Sequence, residues 1–203
     1  MTTSMIYRPL SVWLTGCVEA SRELVDKRMT VEAEGVAQEL LTRYGIVDPP
    51  TPVEDLAVSH GIMVIREPFE DDGVSGVLIR EPHRNMIIVN AANAAVRQRF
   101  TIAHEIGHFK LHDGAMYLDG RARVNFRDGL SSMATDHEEI EANAFAAALL
   151  MPAPWVRAAF EDAVRAAAIN SEDELAELLG TRFNVSRQAM LIRLTNLGLV
   201  ASP

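Results

Sequence analysis

The sequence predicts an α+β fold, with a small, mainly antiparallel sheet packed on helices and a helical, helix-turn-helix-like subdomain at the C-terminal end. Three observations carry this expectation. Short β-branched runs at 62–65, 74–79 and 86–89 are separated by turn residues. Longer stretches on either side keep apolar residues at helical spacing. A chain of 203 residues has room for one good-sized core and a small appendage. The expected divisions are an extension of unclear role at 1–28, a catalytic-looking domain at 29–152 and the helical subdomain at 153–203.

Residues 1–28 show no clear period and receive no function; Met29 is an alternative start. From Thr30, the residues Val31, Ala33, Val36, Ala37, Leu40, Leu41 and Tyr44 fall at helical spacing, and Gly45 is a natural left-handed stop. Thr51, Pro52 and Glu54 read as cap, first helical proline and capping-box acid of a short helix ending at His60-Gly61. His60 beside that glycine reads as a partner of the helix C-terminus rather than a ligand. The three β runs follow, with Asp71-Asp72-Gly73 as a turn.

The stretch His104-Glu105-Ile106-Gly107-His108 decides the chemistry. On a helix over about 93–112, His104 and His108 are four apart and project from one face, so both rings can meet one tetrahedral ion. Glu105 follows the first ligand directly, within reach of a water at that ion, which suits a general base. Val96, Phe100, Ala103, Gly107 and Leu111 form the apolar stripe that sinks the helix into the core. His112 lies about 80° around the helix from His104 and is not placed in the same tetrahedron. The longer three-histidine pattern fails, because its downstream glycine and histidine positions hold Leu111 and Gly114.

A third ligand is expected from the acidic helix that begins around Asp136. Glu141 shares a face with Phe145, Ala148 and Leu149 and is the first choice; Glu138, one turn earlier, is the alternative. Between the two helices, 114–136 reads as a long functional rim carrying a further short strand at 121–128. Tyr117, His112 and His137 are oxyanion-donor candidates by residue type. Past Pro152, Val156, Ala159, Phe160, Ala163 and Val164 pattern one helix. Ser171 and Ser186 cap two shorter ones that resemble a helix-turn-helix. Arg182, Arg187 and Arg193 on that pair could meet phosphates, but Glu172, Asp173, Glu174 and Glu177 offset them, so direct DNA binding is not expected.

Composition excludes several classes. Apolar positions make up 48% and charged ones 23%, which argues against wholesale disorder. The net charge of -9 disfavours non-specific nucleic-acid binding. A single cysteine, Cys17, forms no intrachain disulfide. Leu14-Thr15-Gly16-Cys17 looks like a lipoprotein processing site, but Arg8 and Pro9 leave too short an apolar run before it. No run of about 20 apolar residues follows, so no membrane association is expected and the cytoplasm is the expected compartment.

Taken together, the stretch 97–108, the run Val124-Asn125-Phe126-Arg127-Asp128 and the run from Glu141-Ala142-Asn143-Ala144-Phe145 to Pro152 resemble the ImmA/IrrE family of bacterial zinc metallopeptidases. The resemblance covers roughly 31–200. It implies a zincin-like domain with Zn2+ on His104, His108 and Glu141, and Glu105 as base. It also implies an XRE-type helix-turn-helix repressor as protein substrate, whose cleavage releases a stress-response or mobile-element regulon. The alternative of another class is a non-proteolytic anti-repressor that sequesters a transcription regulator around a structural zinc.

Overall fold

The computed structural model describes residues 10–71, 73–120, 129–166 and 171–201. In chain order the elements are α1 (Leu10–Arg43), α2 (Val53–Ser59), β1 (Ile62–Glu67), β2 (Val74–Glu81), β3 (Arg84–Asn90), α3 (Ala95–Leu111), β4 (Met116–Gly120), α4 (Gly129–Leu150), α5 (Ala153–Arg165), α6 (Glu172–Phe183) and α7 (Arg187–Asn196). The fold is α+β. Its sheet has the order β1-β3-β2-β4: β1 runs parallel to β3, and β2 pairs antiparallel with both β3 and β4. The three expected strands are present, and the mainly antiparallel character comes from β2.

The differences from expectation are local. α1 continues unbroken from Leu10, so the expected boundary at 28/29 falls inside a helix. It ends where predicted, with Gly45 at φ 62° and the Ile46 N–H donating to Leu41 O (3.0 Å). Thr51 does not cap α2. Its buried hydroxyl donates instead to Leu149 O at the end of α4 (2.8 Å), a tertiary acceptor outweighing the local one. The fourth strand lies at β4, and the strand expected at 121–128 falls outside the described residues. α4 starts at Gly129 rather than near Asp136.

α3 is the centre of the packing. It lies against β2 and β3 on one side and α4 on another, while α1 packs along α4. Leu78, Ile87 and Val89 of the sheet, Ile102 and Ile106 of α3, and Phe145, Leu149 and Leu150 of α4 are buried together. Two glycines permit the close approaches. A Cβ on Gly76 would stand 2.3 Å from Thr101 Cγ2, and one on Gly107 would stand 3.2 Å from both Cα and O of Ala142 and 3.1 Å from Phe145 Cδ1. β2 therefore presses onto α3 at Gly76, and α3 crosses α4 at Gly107.

The C-terminal helices share this core rather than building their own: Val156, Ala159, Leu175, Leu179, Phe183, Met190 and Leu194 belong to the same buried cluster. Val164, expected inward, is exposed. Ser171 and Ser186 cap α6 and α7, accepting from the Glu174 and Ala189 amides (3.1 Å each), and Asn184 turns the chain at φ 53°. Of the arginines considered for DNA, Arg193 is only 4% exposed, donating to Met151 O (3.0 Å) and to Glu34 (2.5 Å); Arg187 pairs with Asp173. Arg193 is thereby committed to the fold, while Arg182 and Arg187 lie exposed.

Candidate metal centre

The whole run Thr101 to His108 is buried, which is unusual for a helix carrying two histidines and a glutamate. Sheet on one side and α4 on the other leave it no solvated face. A buried polar side chain persists only with a partner, and the histidines have each other and a carboxylate. His104 Nε2 and His108 Nε2 lie 3.0 Å apart. Glu139 closes the triangle from α4, with Oε2 3.4 Å from His104 Nε2 and Oε1 3.3 Å from His108 Nε2. A tetrahedral centre with bonds of about 2.0–2.1 Å spaces its ligand atoms about 3.3 Å apart. The three donors already stand at that spacing, and two imidazoles with one carboxylate suit zinc.

Glu139, not Glu141, joins the histidines. Among the described residues, the group of histidines, cysteines and acids able to hold one ion is His104, His108 and Glu139. Glu141 lies with His112 instead, Oε2 to Nε2 at 3.0 Å, and Glu138 acts by its charge on Tyr117. The apolar residues around Glu141 do not discriminate, because Phe145, Ala146, Ala148, Leu149 and Leu150 of α4 form a broad buried face that takes in the positions of both Glu139 and Glu141. What selects the ligand is the crossing point. Ala142 touches the α3 backbone at Gly107, between the two histidines, and Glu139 sits one turn before Ala142.

Electrostatics favour the ligand forms of Glu139 and His108. Burial pushes the Glu139 carboxyl up, but hydrogen bonds and charge from His104 and His108 outweigh it and hold the group down at about 2. For His108, burial pulls the imidazole below 6.5 against the opposing pull of Glu139. A carboxylate and a neutral imidazole are therefore present at neutral pH, as metal ligation requires. Glu105 is fully buried one residue after His104, with Oε1 3.5 Å from where a Cβ on Gly76 would be.

A family comparison adds an independent line. Residues 57–195 match the model of the IrrE N-terminal-like domain, Peptidase_M78. The chain belongs to that family. Its similarity to "Uncharacterized immunity region protein 2" of Bacillus phage phi105 is 28% identity over 123 residues, 61% of this chain and 70% of that protein. Among solved structures, a Mycobacterium tuberculosis transcriptional regulator shares the fold at a TM-score of 0.55 and 19% identity. That alignment covers 87% of this chain and 51% of the regulator, so the chain spans about half the length of that protein.

Around the centre of this IrrE N-terminal-like domain, the helix end is held firmly. Arg80 of β2 donates to His108 O (2.8 Å) and Gly114 O (2.7 Å), with its guanidinium 5.1 Å from the Phe109 ring centroid. Tyr117 of β4 stacks on His108, centroids 4.2 Å apart, and its hydroxyl accepts from the Gly114 amide (2.9 Å). Burial raises its pKa, so the phenol stays protonated. His112 Nδ1 meets His108 Nδ1 (3.0 Å), across the ring from the Nε2 that faces His104 and Glu139. Among the described residues, no helix is long and apolar enough to cross a membrane.

Proposed function

We propose that this chain is a zinc-dependent endopeptidase whose substrate is a helix-turn-helix transcriptional repressor of the XRE type. Cleavage relieves repression of a stress-response or mobile-element regulon. The observation that carries the reading is the convergence of His104, His108 and Glu139 at ligand spacing, with buried Glu105 beside the first of them. Family membership supports the peptidase class. The immunity-region and regulator names of the similar proteins support a regulatory substrate.

His104, His108 and Glu139 would hold the ion; when bound, zinc supplies Lewis acidity that polarises a carbonyl and lowers the pKa of water. Glu105 takes the proton of the attacking water and delivers it to the leaving amine. β4 forms one edge of the sheet and carries Tyr117 against His108, so an extended substrate segment pairs along β4 by main-chain hydrogen bonds and runs past the centre. Tyr117, which stacks on His108, and His137 of α4 are the oxyanion-donor candidates by residue type.

New protein N-termini in host cells expressing wild type or Glu105→Gln test the reading. A terminus inside a helix-turn-helix regulator that appears with wild type and falls at least about 100-fold with Glu105→Gln is expected. Identical profiles under several stresses, with the regulator retained on both proteins in pull-downs, would move the sequestration reading ahead.

A further inference from the structure

Resting on the metallopeptidase reading above, we propose that His112 and Glu141 form a positioning relay behind the His108 ligand, fixing its tautomer and strengthening its hold on the ion. Neither residue touches the metal position; both act through His108.

The geometry assigns every proton. His108 Nε2 faces His104 Nε2 (3.0 Å) and Glu139 (3.3 Å), so it must carry a lone pair if it is to bind a cation. Its proton therefore sits on Nδ1. That atom lies 3.0 Å from His112 Nδ1, and of two facing imidazole nitrogens one must donate and the other accept. His112 Nδ1 is then the acceptor, which places the His112 proton on Nε2. Nε2 in turn lies 3.0 Å from Glu141 Oε2, an acceptor when ionised. The chain Glu141, His112, His108 thus runs in one direction, each proton donated away from the ion. A carboxylate at its far end makes His112 a better acceptor and His108 a more basic ligand.

The backbone is arranged for this contact. His112 is the first residue beyond α3, extended at φ -128° and ψ 155°, while its amide still donates to His108 O (3.1 Å). Arg80 fixes that same carbonyl. His112 is 8% exposed, so its ring is shielded from competing water. His104 has no such support: its buried Nδ1 has no hydrogen-bond partner among the described residues. The two histidine ligands are unequal, and the relay makes His108 the stronger.

The test is the zinc dissociation constant of purified protein, from competition with a chromophoric chelator, for Glu141→Gln, His112→Asn and the double variant. Glu141→Gln keeps size and should weaken zinc about 10-fold. In His112→Asn, the introduced amide oxygen can still accept from His108 Nδ1, but the link to Glu141 is cut. That variant should therefore weaken zinc by a similar factor, and adding Glu141→Gln should change nothing more. Cobalt-loaded proteins should all keep the absorption of a four-coordinate site, and zinc-free variants the wild-type circular dichroism. An equal loss from Glu141→Gln in both backgrounds would mean that Glu141 acts on the ion directly, and the relay is overturned. Affinities within about twofold of wild type in both single variants overturn it too. A wild-type protein that binds no zinc defeats the metallopeptidase reading itself, a result distinct from either of these.

Discussion

Two of the places where this molecule buries polar side chains do so to different ends. At the crossing of α3 and α4, His104, His108, His112, Glu139 and Glu141 are partnered with one another, side chain to side chain. Around the C-terminal helices, Thr51, Arg99 and Arg193 reach chiefly for backbone carbonyls, Leu149 O, Thr51 O (2.9 Å) and Met151 O, with one ion pair, Arg193 to Glu34, beside them. The second pattern ties segments together: Leu149 O and Met151 O lie at the end of α4, where carbonyls lack helical partners. The first holds several ionisable groups at one point, which a fold has no need of for its own stability. Burial of a polar residue is therefore a weak sign of function; the kind of partner it meets is a stronger one.

Two substitutions sharpen this contrast. Gly107→Val puts two methyl groups where even one Cβ meets Ala142 and Phe145, so α4 must move away from α3. A loss of about 3 kcal/mol in unfolding free energy is expected, together with at least about 10-fold weaker zinc binding as Glu139 is carried off. Glu34→Ala removes the side-chain partner of buried Arg193. It should cost about 1–2 kcal/mol and leave the zinc constant unchanged. Denaturant unfolding beside chelator competition reads both. Weakened zinc binding in Glu34→Ala would erase the distinction between the two regions.

The sequence made the middle of the molecule legible for physical reasons. α3 carries an apolar stripe and a histidine pair at the same period, so local pattern and chemistry agree. β1, β2 and β3 are β-branched and bounded by turns. Gly45, Ser171 and Ser186 stop or cap helices through short-range geometry that the chain alone specifies. Legibility fails where a distant partner decides. Thr51 abandons its cap for Leu149 O, and β4, with Met116 and Tyr117 but no alternation, exists because β2 offers it an edge. The early start of α4 has the same character, since Gly129-Leu130-Ser131-Ser132 reads as loop by propensity.

The acid of α4 that meets the two histidines was not legible for a subtler reason. Glu138, Glu139 and Glu141 crowd one stretch, and the apolar residues buried after them form a face broad enough to take in all three, so no single acid stands out. His112 adds to the ambiguity: one turn past His108 and buried, it takes a partner of its own, and only the structure shows that this is Glu141 while Glu139 meets His104 and His108.

The zinc content and zinc dissociation constant of Glu139→Ala beside Glu141→Ala test the central claim most directly. One zinc per wild-type chain is expected. Glu139→Ala should lose at least about 100-fold in affinity, because a ligand is gone, while Glu141→Ala loses only about 10-fold. The reverse order, with Glu141→Ala emptied of zinc and Glu139→Ala close to wild type, would contradict the centre described here.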